Sequence, residues 1–124
     1  MCDVLILDDE AVVRTVLVDL LEEQGLKVHA VSSPWEALDL AVPHDGCTLL
    51  LTDIDLGVRE IDGFEVARRV RLRRPRLPVL FISGRPWKLE EHTAGVNDRL
   101  LAKPFRMSAL LGAVQQLMDR AEVV

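Results

Sequence analysis

The sequence predicts an α/β protein built on a doubly wound, parallel five-stranded sheet. Strand and helix signals alternate along all 124 residues, which is typical of consecutive βαβ units. Right-handed crossovers, with helices needed on both faces, favour the strand order 2-1-3-4-5. Four apolar runs also end on polar residues, and sheets of this kind place their sites at the carboxyl ends of the strands. We therefore expect a (βα)5 domain with its site at that edge.

The first half of the chain contains three strands and two helices. After the first apolar run, apolar residues recur at helical spacing as far as Gly25, which is a natural helix stop. Ser33 followed by Pro34 predicts a capped helix start. The predicted elements are strand Val4–Leu7, helix Glu10–Gln24, strand Lys27–Val31, helix Pro34–Ala41 and strand Thr48–Thr52. The last run is apolar throughout and should be the central strand.

The second half continues the alternation but contains one weak segment. Asp62 and Glu65 form a capping-box pattern for a third helix that ends before Pro75. From Gly84 to Asn97 only a short helix is indicated, and we expect this segment to be irregular or mobile. The predicted elements are strand Pro78–Ser83, a short candidate helix Leu89–Ala94, strand Leu100–Ala102, and a final helix marked by Leu110, Leu111, Val114, Leu117, Met118 and Ala121.

Length and composition exclude several classes of protein. The length suits one domain with a core of its own, so we expect residues 1–124 to form a single domain without an output domain. Two cysteines, Cys2 and Cys47, are too few for a disulfide framework, and no secretory leader opens the chain, which favours the cytoplasm. The apolar runs are too short to span a membrane.

Charge argues against nucleic-acid binding. The formal net charge is -5, which repels a polyanion. Six arginines do lie within Arg68–Arg76, but the solvated face of a helix explains them more simply than a functional basic patch. The scattered His29, His44 and His92 lack the spacing of a metal site.

The polar residues at the strand ends indicate phosphoryl chemistry. Asp8, Asp9 and Asp53 would meet at one edge of the sheet, together with Ser83 and Lys103. Clustered carboxylates repel one another unless a cation lies between them, and Mg2+ prefers such oxygen ligands. An ammonium and a hydroxyl could neutralise and bind a phosphoryl group at the same place.

These residues carry a resemblance to a known family. In this order and on these strand ends, Asp8-Asp9, Asp53, Ser83 and Lys103-Pro104-Phe105 resemble the receiver domain of two-component response regulators. The resemblance spans essentially the whole chain. It implies the flavodoxin-like fold of CheY-like receivers. It also implies that the chain is a signalling protein and not an enzyme that acts on a separate substrate.

The resemblance also implies a role for each site residue. Asp53 would be the phosphoacceptor, and Ser83 and Lys103 would bind the phosphoryl group. Asp9 and Asp53 would be direct Mg2+ ligands. Asp8 would act through water and Asp55 through its backbone carbonyl. The Lys103–Pro104 peptide is expected to be cis, as in the family.

Partners follow from the same resemblance. A bacterial receiver takes its phosphoryl group from a histidine kinase or a phosphotransfer protein and acts on a downstream protein target, without direct contact with nucleic acid or membrane. The run Pro78–Gly84 further resembles a signature of stand-alone receivers of alphaproteobacterial type. We expect a monomer or a weak homodimer.

The chain departs from the family where receivers carry their switch residue. The position three before the lysine is usually aromatic, but here it is Leu100, and the chain has no tyrosine. An aromatic switch of the usual kind therefore cannot operate. Our hypothesis is that the segment from Gly84 to Arg99, with Trp87, carries the signal instead.

Two further departures lie around the site. Leu56-Gly57 replaces the usual Met-Pro, and Asp62-Gly63 comes two residues later than usual, which predicts weaker Mg2+ binding than in other receivers. Asp55 and Arg85 occupy the two positions that flank the phosphoryl group. They either pair across the site and slow dephosphorylation, or remain independent solvated side chains.

Three alternative functions compete with this interpretation. A receiver-like interaction module that is not phosphorylated is the strongest alternative, although it would not require all five chemical positions. Asp53-Ile-Asp55 resembles the catalytic pair of haloacid-dehalogenase-type phosphohydrolases, but it follows the third strand here, not the first. A flavin site is weaker still, because Asp8-Asp9-Glu10 would repel its phosphate.

Overall fold

The predicted parallel sheet is present in the computed structural model, which describes residues 2–43, 45–85, 87–88 and 94–122. Its five strands follow the order β2-β1-β3-β4-β5. Their bounds are β1 Val4–Leu7, β2 Val28–Val31, β3 Leu49–Asp53, β4 Val79–Ser83 and β5 Asp98–Ala102. All neighbouring strands pair in parallel. The predicted order is therefore confirmed.

Helices cover both faces of this sheet. Their bounds are α1 Ala11–Glu22, α2 Pro34–Ala41, α3 Gly63–Arg71 and α4 Met107–Glu122. Two predicted caps are present: the Ser33 hydroxyl accepts from the Trp35 N–H at 3.2 Å, and the Asp62 carboxylate accepts from the Glu65 N–H at 2.8 Å. These bonds satisfy backbone donors that a helix start leaves unpaired. The chain therefore starts both helices at the predicted positions.

Two apolar layers explain why the central strands are buried throughout. On one face, Leu17 and Leu21 of α1 and Leu110 of α4 pack against alternate strand residues such as Leu51 and Ile82. On the other face, α2 and α3 pack over the remaining strand residues. Because successive side chains of a strand point to opposite faces, a sheet covered on both sides needs continuous apolar runs.

The fifth strand begins earlier than predicted. It starts at Asp98, two residues before the predicted Leu100. Asp98 is buried, and the Arg71 guanidinium at the end of α3 lies 2.5 Å from its carboxylate. This ion pair allows a charged residue to begin a covered strand, which apolar patterning cannot detect. The predicted helix Leu89–Ala94 lies almost wholly outside the described residues.

A disulfide joins Cys2 to Cys47, with the two Cα atoms 4.5 Å apart. Two cysteines are too few for a disulfide framework, but the two that are present are joined to each other. The register explains the pairing. Val4 lies opposite Leu49, and each cysteine precedes its strand by two residues, so the same register places the two cysteines opposite each other.

Within the described residues, no helix is long and apolar enough to cross a bilayer.

Candidate functional site

The carboxyl edge of the sheet brings the predicted acidic residues together. Asp8 and Asp9 directly follow β1, and Asp53 ends the neighbouring strand β3. Oxygen atoms of Asp8, Asp9, Glu10 and Asp53 all lie within 4.8 Å of one another. Asp8 and Asp53 are buried, whereas Asp9 and Glu10 are exposed. Glu10 was predicted only as part of a helix start, so its place in this cluster comes from the structure.

The Lys103 ammonium lies between two of these carboxylates. Its Nζ atom is 3.0 Å from Asp53 Oδ2 and 3.4 Å from Asp8 Oδ2, and it is 3.8 Å from the exposed Glu10. The loop after β5 is held in place because the Lys103 N–H donates to the Ser83 carbonyl at 2.8 Å. The Lys103–Pro104 peptide is cis, as predicted. Two strands and this loop therefore converge on one charged cluster.

The charges of this cluster do not balance. Burial raises the pKa of the Asp53 carboxyl above its ordinary value, and the hydrogen bond and charge of Lys103 offset only part of that effect. Burial alone would lower the pKa of Lys103, but its contacts with Asp53 and Asp8 raise it overall. One ammonium therefore faces two buried carboxylates, with Asp9 beside them. Such a site favours an additional cation.

The donor set fits a hard divalent cation. Carboxylate oxygens are the ligands that Mg2+ prefers, and it retains several waters when bound. Asp9 and Asp53, the predicted direct ligands, both line a cleft of about 260 Å³. We call this the acidic cleft; it is lined by Asp9, Glu10, Asp53, Asp55, Gly84, Arg85 and Lys103. Asp8 is buried below it, and its carboxylate accepts from the Glu10 N–H at 2.8 Å.

Ser83 lies at the end of β4, but its hydroxyl is engaged with the backbone of Arg85. The Ser83 Oγ accepts from the Arg85 N–H at 2.9 Å and donates to the Arg85 carbonyl at 3.2 Å. The side chain is fully buried. A hydroxyl rotates at low cost, so the donor that now points to Arg85 is available to another acceptor at this edge of the sheet.

Two glycines allow backbone to approach the acidic cleft closely. Gly57 has a φ of +75°, and a Cβ there would lie 3.0 Å from the Asp9 carboxylate. Gly63 starts α3, and a Cβ there would lie 2.3 Å from the Asp53 carbonyl oxygen. Only glycine fits both places without movement of its neighbours. The longer loop between β3 and α3 therefore packs closely against its neighbours near Gly57 and Gly63, and its Leu56 and Ile61 are buried.

The rim of the acidic cleft carries an ion-pair cluster centred on Asp55. The predicted partner Arg85 places its Nε atom 3.6 Å from Asp55 Oδ2. A closer partner is Lys88, whose Nζ atom lies 2.5 Å from Asp55 Oδ1. Sequence reasoning missed Lys88, because it follows Ser83 by five residues within a segment that gave no clear helix or strand signal. Asp55 also donates its backbone N–H to Asp53 Oδ1 at 3.3 Å.

The two predicted switch residues lie in different environments. Leu100 is half-buried in β5 opposite Phe81, and it packs against the apolar layer under α2 and α3. Trp87 is 57% exposed. It directly precedes Lys88, so it lies close to the rim of the acidic cleft. Much of the segment assigned to signalling, including Pro86 and residues 89–93, lies outside the described residues.

Comparison with known proteins assigns the class. The family model of the response regulator receiver domain matches residues 4–115, and the chain belongs to this family. Receiver domains are signalling domains of two-component systems that interact with histidine kinases and downstream effectors, and they bind Mg2+ in their active site. Membership decides against the phosphohydrolase and flavin-binding alternatives. The resemblance seen in the sequence is therefore confirmed.

Individual relatives agree with this family. The chain is 28% identical over 123 residues to the transcriptional regulatory protein SrrA of Staphylococcus aureus, a match that covers 97% of this chain and 49% of SrrA. It thus spans about half the length of the curated relatives it matches. The crystal structure of a response regulator receiver protein from Sinorhizobium medicae superposes with a TM-score of 0.85 at 29% identity, covering 97% of this chain and 96% of the other.

A third relative contains a metal ion. The receiver domain of the sensor histidine kinase PA1611 from Pseudomonas aeruginosa superposes with a TM-score of 0.80 at 26% identity, covering 95% of this chain and 98% of the other. That structure has a magnesium ion coordinated in its active-site cleft. In this chain the acidic cluster described above offers the carboxylate oxygens that such an ion prefers.

Proposed function

We propose that this chain is phosphorylated on Asp53 by a histidine kinase or a phosphotransfer protein, in a Mg2+-dependent reaction, and that it signals by protein contact. The observation that carries the proposal is the position of Lys103, whose ammonium lies 3.0 Å from the carboxylate of Asp53 inside an acidic cluster. Such an arrangement supplies a nucleophile together with a group that neutralises an incoming anion.

The nucleophile in this proposal is a carboxylate oxygen of Asp53. It forms a bond to phosphorus as the bond between phosphorus and the donor's leaving atom breaks, which gives an aspartyl phosphate. Lys103 then turns from the Asp53 carboxylate to the phosphoryl oxygens, which are within reach of its flexible side chain. Ser83 turns its hydroxyl from the Arg85 carbonyl to a phosphoryl oxygen.

Asp9 and Asp53 would hold the Mg2+ directly, with Asp8 acting through water and Asp55 through its backbone carbonyl. When bound, the ion neutralises negative charge on the phosphoryl group. The carboxylate cluster supports this assignment because it has an excess of negative charge around one ammonium. We also propose that Mg2+ binding is weaker than is usual in receivers, because the loop that follows Asp55 is two residues longer and lacks its usual proline.

The route of the signal is also part of the proposal. Leu100 offers a smaller change of surface than an aromatic residue would, so the segment around Trp87 is assigned the output. We propose a monomer or a weak homodimer in the cytoplasm, as is usual for receivers. The catalytic activity is limited to the chain's own phosphorylation and dephosphorylation.

The test is incubation with acetyl phosphate and Mg2+, read by intact mass. We expect wild type to gain one phosphoryl group, Asp53→Asn to gain none, and Asp45→Asn to behave as wild type because Asp45 is exposed and lies at the opposite edge of the sheet. EDTA should abolish the gain. If wild type stays unmodified, the interaction module without phosphorylation is the better description.

A further inference from the structure

We propose that Lys88 is a positioning residue for the phosphoryl chemistry at Asp53, and that it acts through Asp55 to prolong the phosphorylated state. This inference rests on the proposed function. Lys88 is not one of the family's phosphoryl-binding positions identified above. Its role is argued from its contacts alone.

Within the part of the chain that the structure describes, Lys88 is the stronger of two cationic partners of Asp55. Its Nζ atom lies 2.5 Å from Asp55 Oδ1, whereas Arg85 Nε lies 3.6 Å from Oδ2. The Lys88 side chain is 30% exposed and that of Arg85 is 57% exposed. A shorter and better covered ion pair is less screened by water and salt. The Asp55–Lys88 ion pair is therefore the stronger of these two interactions at the rim of the acidic cleft.

Asp55 connects this ion pair to the Asp53 carboxylate, the proposed nucleophile. Asp55 donates its backbone N–H to Asp53 Oδ1 at 3.3 Å while its carboxylate accepts from Lys88. Restraining the side chain of Asp55 thus restrains a hydrogen-bond donor to the carboxylate that becomes phosphorylated. The two partners are 33 residues apart in the chain, so the bridge fastens the loop after β3 to the segment after β4.

The same two segments form walls of the acidic cleft. Asp55 lines it from the loop after β3, and Gly84 and Arg85 line it from the segment after β4. Hydrolysis of an aspartyl phosphate requires water to attack phosphorus as the bond from phosphorus to the Asp53 oxygen breaks, which returns the carboxylate and inorganic phosphate. Walls that are joined across the rim restrict the entry of that water. Loss of Lys88 should therefore shorten the lifetime.

The experiment measures dephosphorylation after acetyl phosphate is removed, with Mg2+ present. We expect Lys88→Ala to shorten the lifetime about two- to fivefold, the range expected when a partly exposed ion pair is lost. Arg85→Ala should have a smaller effect, and Lys88→Arg should retain the wild-type lifetime. Lys27→Ala is the matched control, because Lys27 is exposed and has no ion pair among the residues that the structure describes.

Two further readouts separate positioning from a general structural effect. In an Asp55→Asn background, Lys88→Ala should change nothing more, because its partner has already gone. High salt should shorten the wild-type lifetime toward that of Lys88→Ala while leaving the variant unchanged. Far-UV circular dichroism checks that each variant is folded.

The outcomes separate this inference from the function on which it rests. If wild type gains no phosphoryl group, the proposed function fails. If wild type is phosphorylated and Lys88→Ala has the same lifetime, the role of Lys88 alone is overturned. An equal effect of Lys88→Ala with and without the Asp55 carboxylate would also overturn it.

Discussion

Replacing Lys103 with methionine should destabilise the fold in the absence of Mg2+, because it leaves two buried carboxylates without their cation. The ammonium lies 3.0 Å from Asp53 and 3.4 Å from Asp8. At an effective dielectric constant of about 20, each attraction amounts to roughly 5 kcal/mol. Much of this gross energy is offset, because the variant no longer buries an ammonium. Lys103 is also 20% exposed, so we expect a net loss of about 3 kcal/mol in the free energy of unfolding.

The loss should be measured by urea unfolding in EDTA, followed by far-UV circular dichroism. Tryptophan fluorescence is a poorer probe, because Trp35 and Trp87 are already about half exposed in the folded state. Lys27→Met makes the same chemical change at an exposed position and should cost almost nothing. For a domain of this size, the loss corresponds to a fall in Tm of roughly 12 °C.

The pH and metal dependence of this loss provide the sharper test. Lys103 lowers the pKa of Asp53, so without it that pKa rises further and the carboxyl is more readily protonated in the folded state. The deficit should therefore shrink as the pH falls toward 4. Mg2+ at about 100 times its Kd for the variant should add about 2.7 kcal/mol to the variant's own free energy of unfolding. A deficit that is equal to that of Lys27→Met, or that is independent of pH, would refute this reasoning.

Three further predictions concern the fold around the site. Gly63→Ala should lower the free energy of unfolding by about 1 to 3 kcal/mol, because the new methyl group meets the Asp53 carbonyl. Gly112→Ala in α4 is the control, because open space surrounds that position, and it should not lower the free energy of unfolding. Equal effects of the two substitutions in urea unfolding would contradict the prediction. Reduction of the disulfide, whose cysteines are 45 residues apart, should lower the free energy of unfolding by about 2 to 4 kcal/mol. Cys2→Ser should remove this response to reductant. A wild-type protein whose urea unfolding is the same with and without reductant would argue against the prediction. In EDTA, Asp53→Asn should unfold at higher urea than wild type at neutral pH, because burial raises the folded-state pKa of Asp53 and its ionised form costs stability above that pKa. The difference should vanish as the pH falls below 3.8, the carboxyl's ordinary pKa, and a constant difference would count against it.

The sequence was sufficient to predict the sheet and the chemical character of its carboxyl edge. Continuous apolar runs identify buried parallel strands, and the crossover rule then leaves few strand orders. Polar residues that end such runs must meet at one edge, which is why Asp8, Asp53 and Lys103 were recognised together. Helix starts at Ser33 and Asp62 were equally accessible, because capping has a local chemical signature.

Features that depend on contacts distant in sequence were not accessible in the same way. Lys88 contacts Asp55 from a segment without periodicity, so no spacing rule connects the two. Apolar patterning does not place Asp98 in β5, because its burial depends on Arg71, which lies 27 residues earlier. The disulfide is a different case. The predicted order places β1 beside β3, and Cys2 and Cys47 each lie within two residues of the start of one of these strands, a signal that could have revealed the pairing.

The disulfide links the amino ends of β1 and β3, and its effect extends to the carboxyl ends of the same two strands. Cys2 and Cys47 precede β1 and β3, and the acids Asp8 and Asp53 lie at the far ends of the same two strands, about 20 Å away at the rise of a strand. A covalent bond at one end prevents these strands from sliding past each other. The oxidised protein thus holds its mutually repelling carboxylates in place through the backbone, whichever ion lies between them.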